Sequence, residues 1–288
     1  MMRMAWPVGL SLALSLPSCD GAEAPDVAPT DVVTGVETGV DAGPAADAPA
    51  GQGTAPACRD LPPGRPLTPG LWASRQRITG LVGLPPTGTL TPVTTTLLVL
   101  HDVVEDRGET RVTHRTCSLS QPRMSGVETV FRPEFVAGVP RNTVTATIDG
   151  DRVTFPRDRV ILGAELAEPD TDALPKAPED PRVLDGDGDG NPGMTVVLQG
   201  LFQAQLYITY RHFIALEGTS DAAGCVSGVL KGAIEQTQLG ASEDALLAFD
   251  FSPRPHPDPD INTFVLVPVR ADLDCAALMA EETALFGP

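Results

Sequence analysis

From Leu71 onward apolar and polar positions alternate with a period of two rather than 3.6, β-branched residues are enriched, and Gly, Pro or Asp interrupts the pattern every ten or so positions. Alternation of this kind puts one face of a strand in a core and the other outside. It predicts strands over 71–83, 93–104, 109–119, 126–132, 142–149, 151–163, 195–200, 203–217, 226–238 and 261–270. The segment 203–217 is long: Leu206, Ile208, Tyr210, His212, Ile214 and Leu216 share one face, and Tyr207, Thr209, Arg211 and Phe213 the other. At ~3.4 Å per residue such strands run well past the usual five or six residues. Long meandering strands favour closure, which removes exposed edges, so the expected fold is all-β, an antiparallel meander closing into a β-barrel-like body, with a β-sandwich as the alternative. One helix is expected over 272–283, with Leu273, Ala277, Ala280 and Ala284 on its inward stripe and Asp272 and Asp274 at its positive N-terminus.

The hairpin around Glu105-Asp106-Arg107-Gly108-Glu109 leaves two registers open. A two-residue Arg107-Gly108 loop sets His101 against His114 and Val103 against Val112. A three-residue loop with Gly108 in the left-handed position sets His101 against Thr113. His101, His114 and His212 all fall on apolar strand faces, where a histidine is more often a hydrogen-bonded core residue than a metal ligand or a catalytic base.

Composition separates a leader and a linker from this body. Arg3 precedes an apolar run from Met4 to Leu16, too short to span a membrane as a helix, and the run ends in small residues and a cysteine, as a secretory signal over 1–18 does. Leu16-Pro17-Ser18-Cys19 resembles the bacterial lipobox, which implies cleavage before Cys19 and lipidation of its sulfur and amine. Residues 19–57 hold seven acids with no Lys, Arg or aromatic residue, so they cannot bury enough apolar surface to order themselves and are expected to be an extended tether. The single β-rich domain is then 58–288. Across the 288-residue chain, 38 acids face 20 bases, for a charge of −18, with only two lysines, Lys176 and Lys231. That balance excludes a nucleic-acid partner, which needs clustered cations. Besides Cys19 there remain Cys58, Cys117, Cys225 and Cys275, an even set that predicts two disulfides in an oxidising compartment, with Cys58–Cys117 and Cys225–Cys275 the sequence-local pairing.

Between Glu165 and Gly193, nine acids meet only Lys176 and Arg182. The stretch ends Asp185-Gly186-Asp187-Gly188-Asp189-Gly190-Asn191-Pro192-Gly193. Calcium takes six to eight oxygens, and carboxylates at alternate positions of a glycine-rich loop can turn inward around it. Asp185, Asp187 and Asp189 fall on positions 1, 3 and 5 of the EF-hand template, Gly190 on the sharp turn and Asn191 on the backbone-carbonyl position. Val196 stands where an EF-hand has its bidentate glutamate, so the remaining ligands would have to come from Glu179, Asp180 or water. The segment resembles the EF-hand-like loops of thrombospondin type 3 repeats and of uncharacterised bacterial surface lipoproteins, in which DxDGDGxPG precedes a strand. The resemblance covers about nine residues plus the lipobox, and it implies calcium and an envelope setting.

No nucleotide-binding loop, zinc-protease helix or nucleophile elbow occurs; Ser227 in GCVSG lacks the required spacing, and His256-Pro257-Asp258 lies between strands rather than between helices. The expectation is therefore a non-enzymatic, lipid-anchored protein of the bacterial cell envelope, held at the inner or outer membrane with its body in the periplasm or at the surface, structural or adhesive and stabilised by calcium. A lipocalin-like carrier of a small apolar ligand is the alternative and a hydrolase the second. A hollow interior would favour the carrier, a filled one the structural reading, and a Ser/His/carboxylate cluster the hydrolase.

Overall fold

The computed structural model describes residues 56–59, 65–84 and 88–288; the signal segment, Cys19 with its lipidation, and residues 19–55 of the linker lie outside them. Eleven strands and four short α-helices follow in the order α1 (Pro56–Arg59), β1 (Gly70–Leu84), β2 (Thr89–Asp106), β3 (Glu109–Ser120), β4 (Val127–Val130), α2 (Pro133–Ala137), β5 (Thr143–Asp149), β6 (Arg152–Leu162), β7 (Met194–Gly200), β8 (Ala204–Ser220), β9 (Val226–Ala241), β10 (Arg254–Pro255), β11 (Thr263–Pro268), α3 (Cys275–Ala280) and α4 (Glu282–Phe286).

Eight of the strands form a closed, barrel-like antiparallel ring. Its order, β1-β2-β3-β5-β6-β8-β9-β11 and back to β1, is the order of the chain. Each predicted strand is present to within a few residues. Closure comes from two pairings of β9, to β8 along its whole length and to β11 over Val226–Val229. The period-two pattern then has its physical meaning. Trp72, Ser74, Gln76 and Ile78 of β1 stand opposite His101, Val99, Leu97 and Thr95 of β2, all on the inner face.

The two ends of the ring differ. At one end the strands turn tightly: Arg107-Gly108 joins β2 to β3, Gly150-Asp151 joins β5 to β6, and Asp221–Cys225 joins β8 to β9. The observed register pairs His101 with His114 and Val103 with Val112, the two-residue alternative. Arg107 and Gly108 both have positive φ, 54° and 84°, as a primed hairpin turn requires. The strain at Arg107 is outweighed by keeping the inward side chains of both strands on the core face. At the other end only β1 and β2 follow each other closely, Leu84 to Thr89, and the other connections are long: β4 and α2 lie between β3 and β5, the acidic segment and β7 between β6 and β8, and two 3₁₀ turns and β10 between β9 and β11.

The C-terminal helix differs from expectation. It breaks at Glu281 into α3 and α4, and Ala280 and Ala284 are exposed; Leu273, Leu278 and Phe286 are the buried positions, packed on Ala73, Leu98 and Leu100 outside the ring. Asp274 does cap α3, accepting from the Ala277 N–H. Arg75 of β1 donates to the Phe286 and Gly287 carbonyls at the end of α4.

Two disulfides are present, but the sequence-local pairing is wrong: Cys58 joins Cys225, and Cys117 joins Cys275. The cause is where the terminal helices dock. α3 lies over the outer faces of β2 and β3, beside Cys117, and α1 lies beside the start of β9. The helix is thus pinned to β3 and not to the strand after Cys225.

Candidate functional site

The interior of the ring is filled toward the tight turns and hollow toward the long connections. The filled part holds Trp72, Val103, Val112, Val153, Phe155 and Phe264, all nearly inaccessible. The hollow part exists because β6 ends at Leu162, paired with Tyr210, while β8 continues outward. From there β7 pairs with β8 over Ala204–Ile208, and β4 pairs with β7, so beyond the end of β6 the wall is built from β7 and β4 instead. A cavity of about 310 Å³ lies behind that wall. Ile78 and Leu97 line its inner part, Leu162, Leu206 and Ile208 one side, and Phe131 and Phe135 from the α2 region the wall. Leu201 and Phe202, at the turn between β7 and β8, stand at its mouth, and Leu201 is 78% exposed. Among the described residues, no Lys, Arg, Asp or Glu lines the cavity.

A few polar groups interrupt the apolar lining. Gln121 donates to the Thr95 hydroxyl, and Gln236 donates to the Phe251 carbonyl. Tyr210 and His212 follow each other on the inner face of β8 with ring centroids 5.4 Å apart. Burial holds the His212 imidazole down at about 4 and pushes the Tyr210 phenol above its ordinary value, so both are neutral near pH 7.

Below the cavity lies a polar relay. His101 and His114 approach with Nδ1 to Nδ1 at 2.8 Å, Ser74 Oγ is 2.7 Å from His101 Nε2, and Gln76 Nε2 is 3.2 Å from Ser74 Oγ. One assignment satisfies every bond: Gln76 donates to Ser74, Ser74 to His101 Nε2, and His101 Nδ1–H to His114 Nδ1. Burial holds His101 well below its ordinary value, helped by His114; burial also lowers His114, opposed by the Asp158 charge. The structure therefore joins two of the three candidate histidines and separates His212 from them. The cluster does not suit hydrolysis. Ser74 and His101 have no exposed surface and line neither of the two best-formed cavities, and the Asp158 carboxylate is engaged by Asn142 and the Arg159 N–H. A nucleophile must touch its substrate.

The acidic segment packs on the outer face of β8. Arg211, nearly buried, donates to the Pro169 and Asp172 carbonyls and to Glu235, and Thr209 donates to the Pro175 carbonyl. Its last turn closes where Gly186 and Gly193 pair, and the Asp185, Asp187 and Asp189 carboxylates gather within 4.8 Å of one another. Asp185 accepts from the Gly188, Asp189 and Gly190 N–H groups, and Asp187 accepts from the Thr195 N–H. The other Asp187 oxygen is buried with no partner, and burial, with the Asp189 and Asp185 charges, raises its carboxyl. Three carboxylates gathered this closely could hold a metal ion. Asn191 follows with its side chain half-buried, its N–H bonded to Asp189. Asp180 is held by Arg182 through both carboxylate oxygens, which keeps its carboxyl at about 2, so it is not free to join the set. Val196 points into the cavity wall.

The sequence offers a hollow interior only as one alternative to a filled one. Its signals, a long β8 and a short β6, are visible only once the pairing is known. No family model, curated protein or solved structure is similar to this chain at a significant level.

Proposed function

We propose that the protein binds a small apolar ligand in the hollow end of its ring. One observation carries this reading: a cavity of about 310 Å³ with a mainly apolar lining and no charged residue among the described residues that line it. Interiors normally close-pack, and a preserved hollow of this size falls in the range of small-molecule sites. A protein whose ring served only as a structural or adhesive body would gain stability by filling it. In this reading Cys19 carries a lipid anchor in a bacterial envelope and the acidic linker lets the body reach a membrane, a source of apolar molecules; the two disulfides support an oxidising compartment. The test is titration of the full-length protein with the fluorescent apolar probe N-phenylnaphthylamine. Saturable fluorescence enhancement is expected in the wild type and its loss in Ile234→Trp, which fills the cavity. Equal enhancement by both proteins, or none by the wild type, would rule the reading out.

A second reading concerns the acidic loop, which we propose holds calcium through Asp185, Asp187, Asp189 and the Asn191 carbonyl. The orphaned buried oxygen of Asp187 supports it. The role of the ion is to fix the loop at the start of β7, one wall of the cavity.

A further inference from the structure

We propose that Tyr210 and His212 are the polar anchor of the cavity and that its ligand is an uncharged amphiphile, an apolar chain ending in a hydroxyl group. This rests on the cavity being a binding site and names the class of molecule it takes.

Both side chains face the hollow from neighbouring inward positions of β8, Tyr210 opposite Leu162 and Gln236, His212 opposite Val160 and Ile234. Neither the Tyr210 hydroxyl nor a His212 ring nitrogen has a hydrogen-bond partner among the described residues; their one mutual contact is ring against ring. His101, deeper in the same ring, by contrast has both ring nitrogens bonded, to Ser74 and to His114. Both side chains are only partly buried, so a ligand that covers them strips their polar atoms of water and must either bond them or bear the cost of leaving them unbonded.

What can bond them follows from their inventory. A neutral imidazole offers one donor and one acceptor, and a phenol offers a donor and an acceptor. An alcohol oxygen can accept from the Tyr210 hydroxyl while its own proton goes to the bare nitrogen of His212. A carboxylate meets a different cavity: no Lys or Arg among the described residues lines it, so an anion would be buried without a counter-charge. A plain hydrocarbon would leave both groups unbonded. The site thus discriminates by a differential the hydrocarbon walls cannot supply, binding a ligand that carries a hydroxyl more tightly than an equally apolar one without.

The experiment is competition for bound N-phenylnaphthylamine in the full-length protein, with dodecanol and dodecanoate as competitors at pH 8. Dodecanol is expected to displace the probe at concentrations at least about tenfold below those of dodecanoate. Tyr210→Phe and His212→Phe, each keeping a ring of similar bulk, should weaken dodecanol relative to the probe by about three- to tenfold, one hydrogen bond each, with probe affinity measured for each variant. Dodecanoate competing as well as dodecanol, or dodecanol unaffected by both substitutions while the probe still binds, would overturn the proposal and leave the cavity reading standing. A wild type that never takes up the probe would remove both.

Discussion

His101 and His114 face each other across the β2–β3 pair with their Nδ1 atoms 2.8 Å apart, a bond that requires one of the two nitrogens to be bare. Protonating both rings destroys it. The pair therefore stabilises the fold only while at least one imidazole is neutral, and its environment keeps both neutral by lowering their affinity for protons.

Stability should consequently fall on mild acidification. Unfolded histidine titrates near 6.5, whereas folded His212 waits until about 4 and His101 is held well below its ordinary value. Between these limits the unfolded chain binds more protons, so the contribution is complete above about pH 6.5 and is lost as pH falls toward the folded values. Urea unfolding at pH 7.5 and pH 5.0 should differ by at least about 2 kcal/mol, the linkage of one shielded imidazole across that interval. His212→Phe should reduce the difference. A flat profile between these pH values would contradict the buried, neutral assignment.

Calcium should raise the melting temperature. At ten times a millimolar-class Kd the gain is about 1.4 kcal/mol, or a few degrees for a domain of this size. Magnesium should do less, because it demands octahedral geometry and dehydrates reluctantly. Replacing Asp187 and Asp189 by asparagine should abolish most of the response and spare the ion-free fold. Equal melting curves in EDTA and in ~10 mM calcium, with no heat of binding, would reduce the segment to an acidic turn.

Non-reducing peptide mapping should recover Cys58 linked to Cys225 and Cys117 to Cys275. The bridges close segments of 167 and 158 residues, and removing Cys117–Cys275 by paired Cys→Ser changes should cost about 2–5 kcal/mol by thermal or denaturant unfolding. The same preparation digested under non-reducing conditions tests the docking of α3.

Arg211→Met should free the acidic segment. Removing the guanidinium deletes its bonds to Pro169, Asp172 and Glu235, and should cost about 2–4 kcal/mol through the carbonyls left unbonded. Limited digestion with an acid-specific protease should then cut within 165–193 at least severalfold faster than in the wild type.

Cys19→Ser, or globomycin treatment, should leave an unprocessed precursor in the native host, read as a shift on a gel. Normal maturation of the substituted chain would sink the lipid anchor.

The sequence by itself determined the strands and their inward faces, because burial on a pleated strand imposes a period of two that is written residue by residue. It favoured closure in chain order over a sandwich, since long meandering strands gain most from losing their exposed edges. It also marked the carboxylates of the 185–189 turn, whose geometry is local. Tertiary structure alone decided what depends on distant partners. Side-chain pattern and turn chemistry disagreed over His101, and the shared core of β2 and β3 settled the register in favour of His114. Local spacing suggested neighbouring cysteines would pair, but docking of α1 and α3 on the outside of the ring chose otherwise. Ala280 and Ala284 fitted a helical stripe, yet the break at Glu281 turned them to solvent. The cavity is the clearest case: Tyr210 and His212 read as two more inward residues of a strand, and only the replacement of β6 by β7 beside them leaves space where a core would have closed.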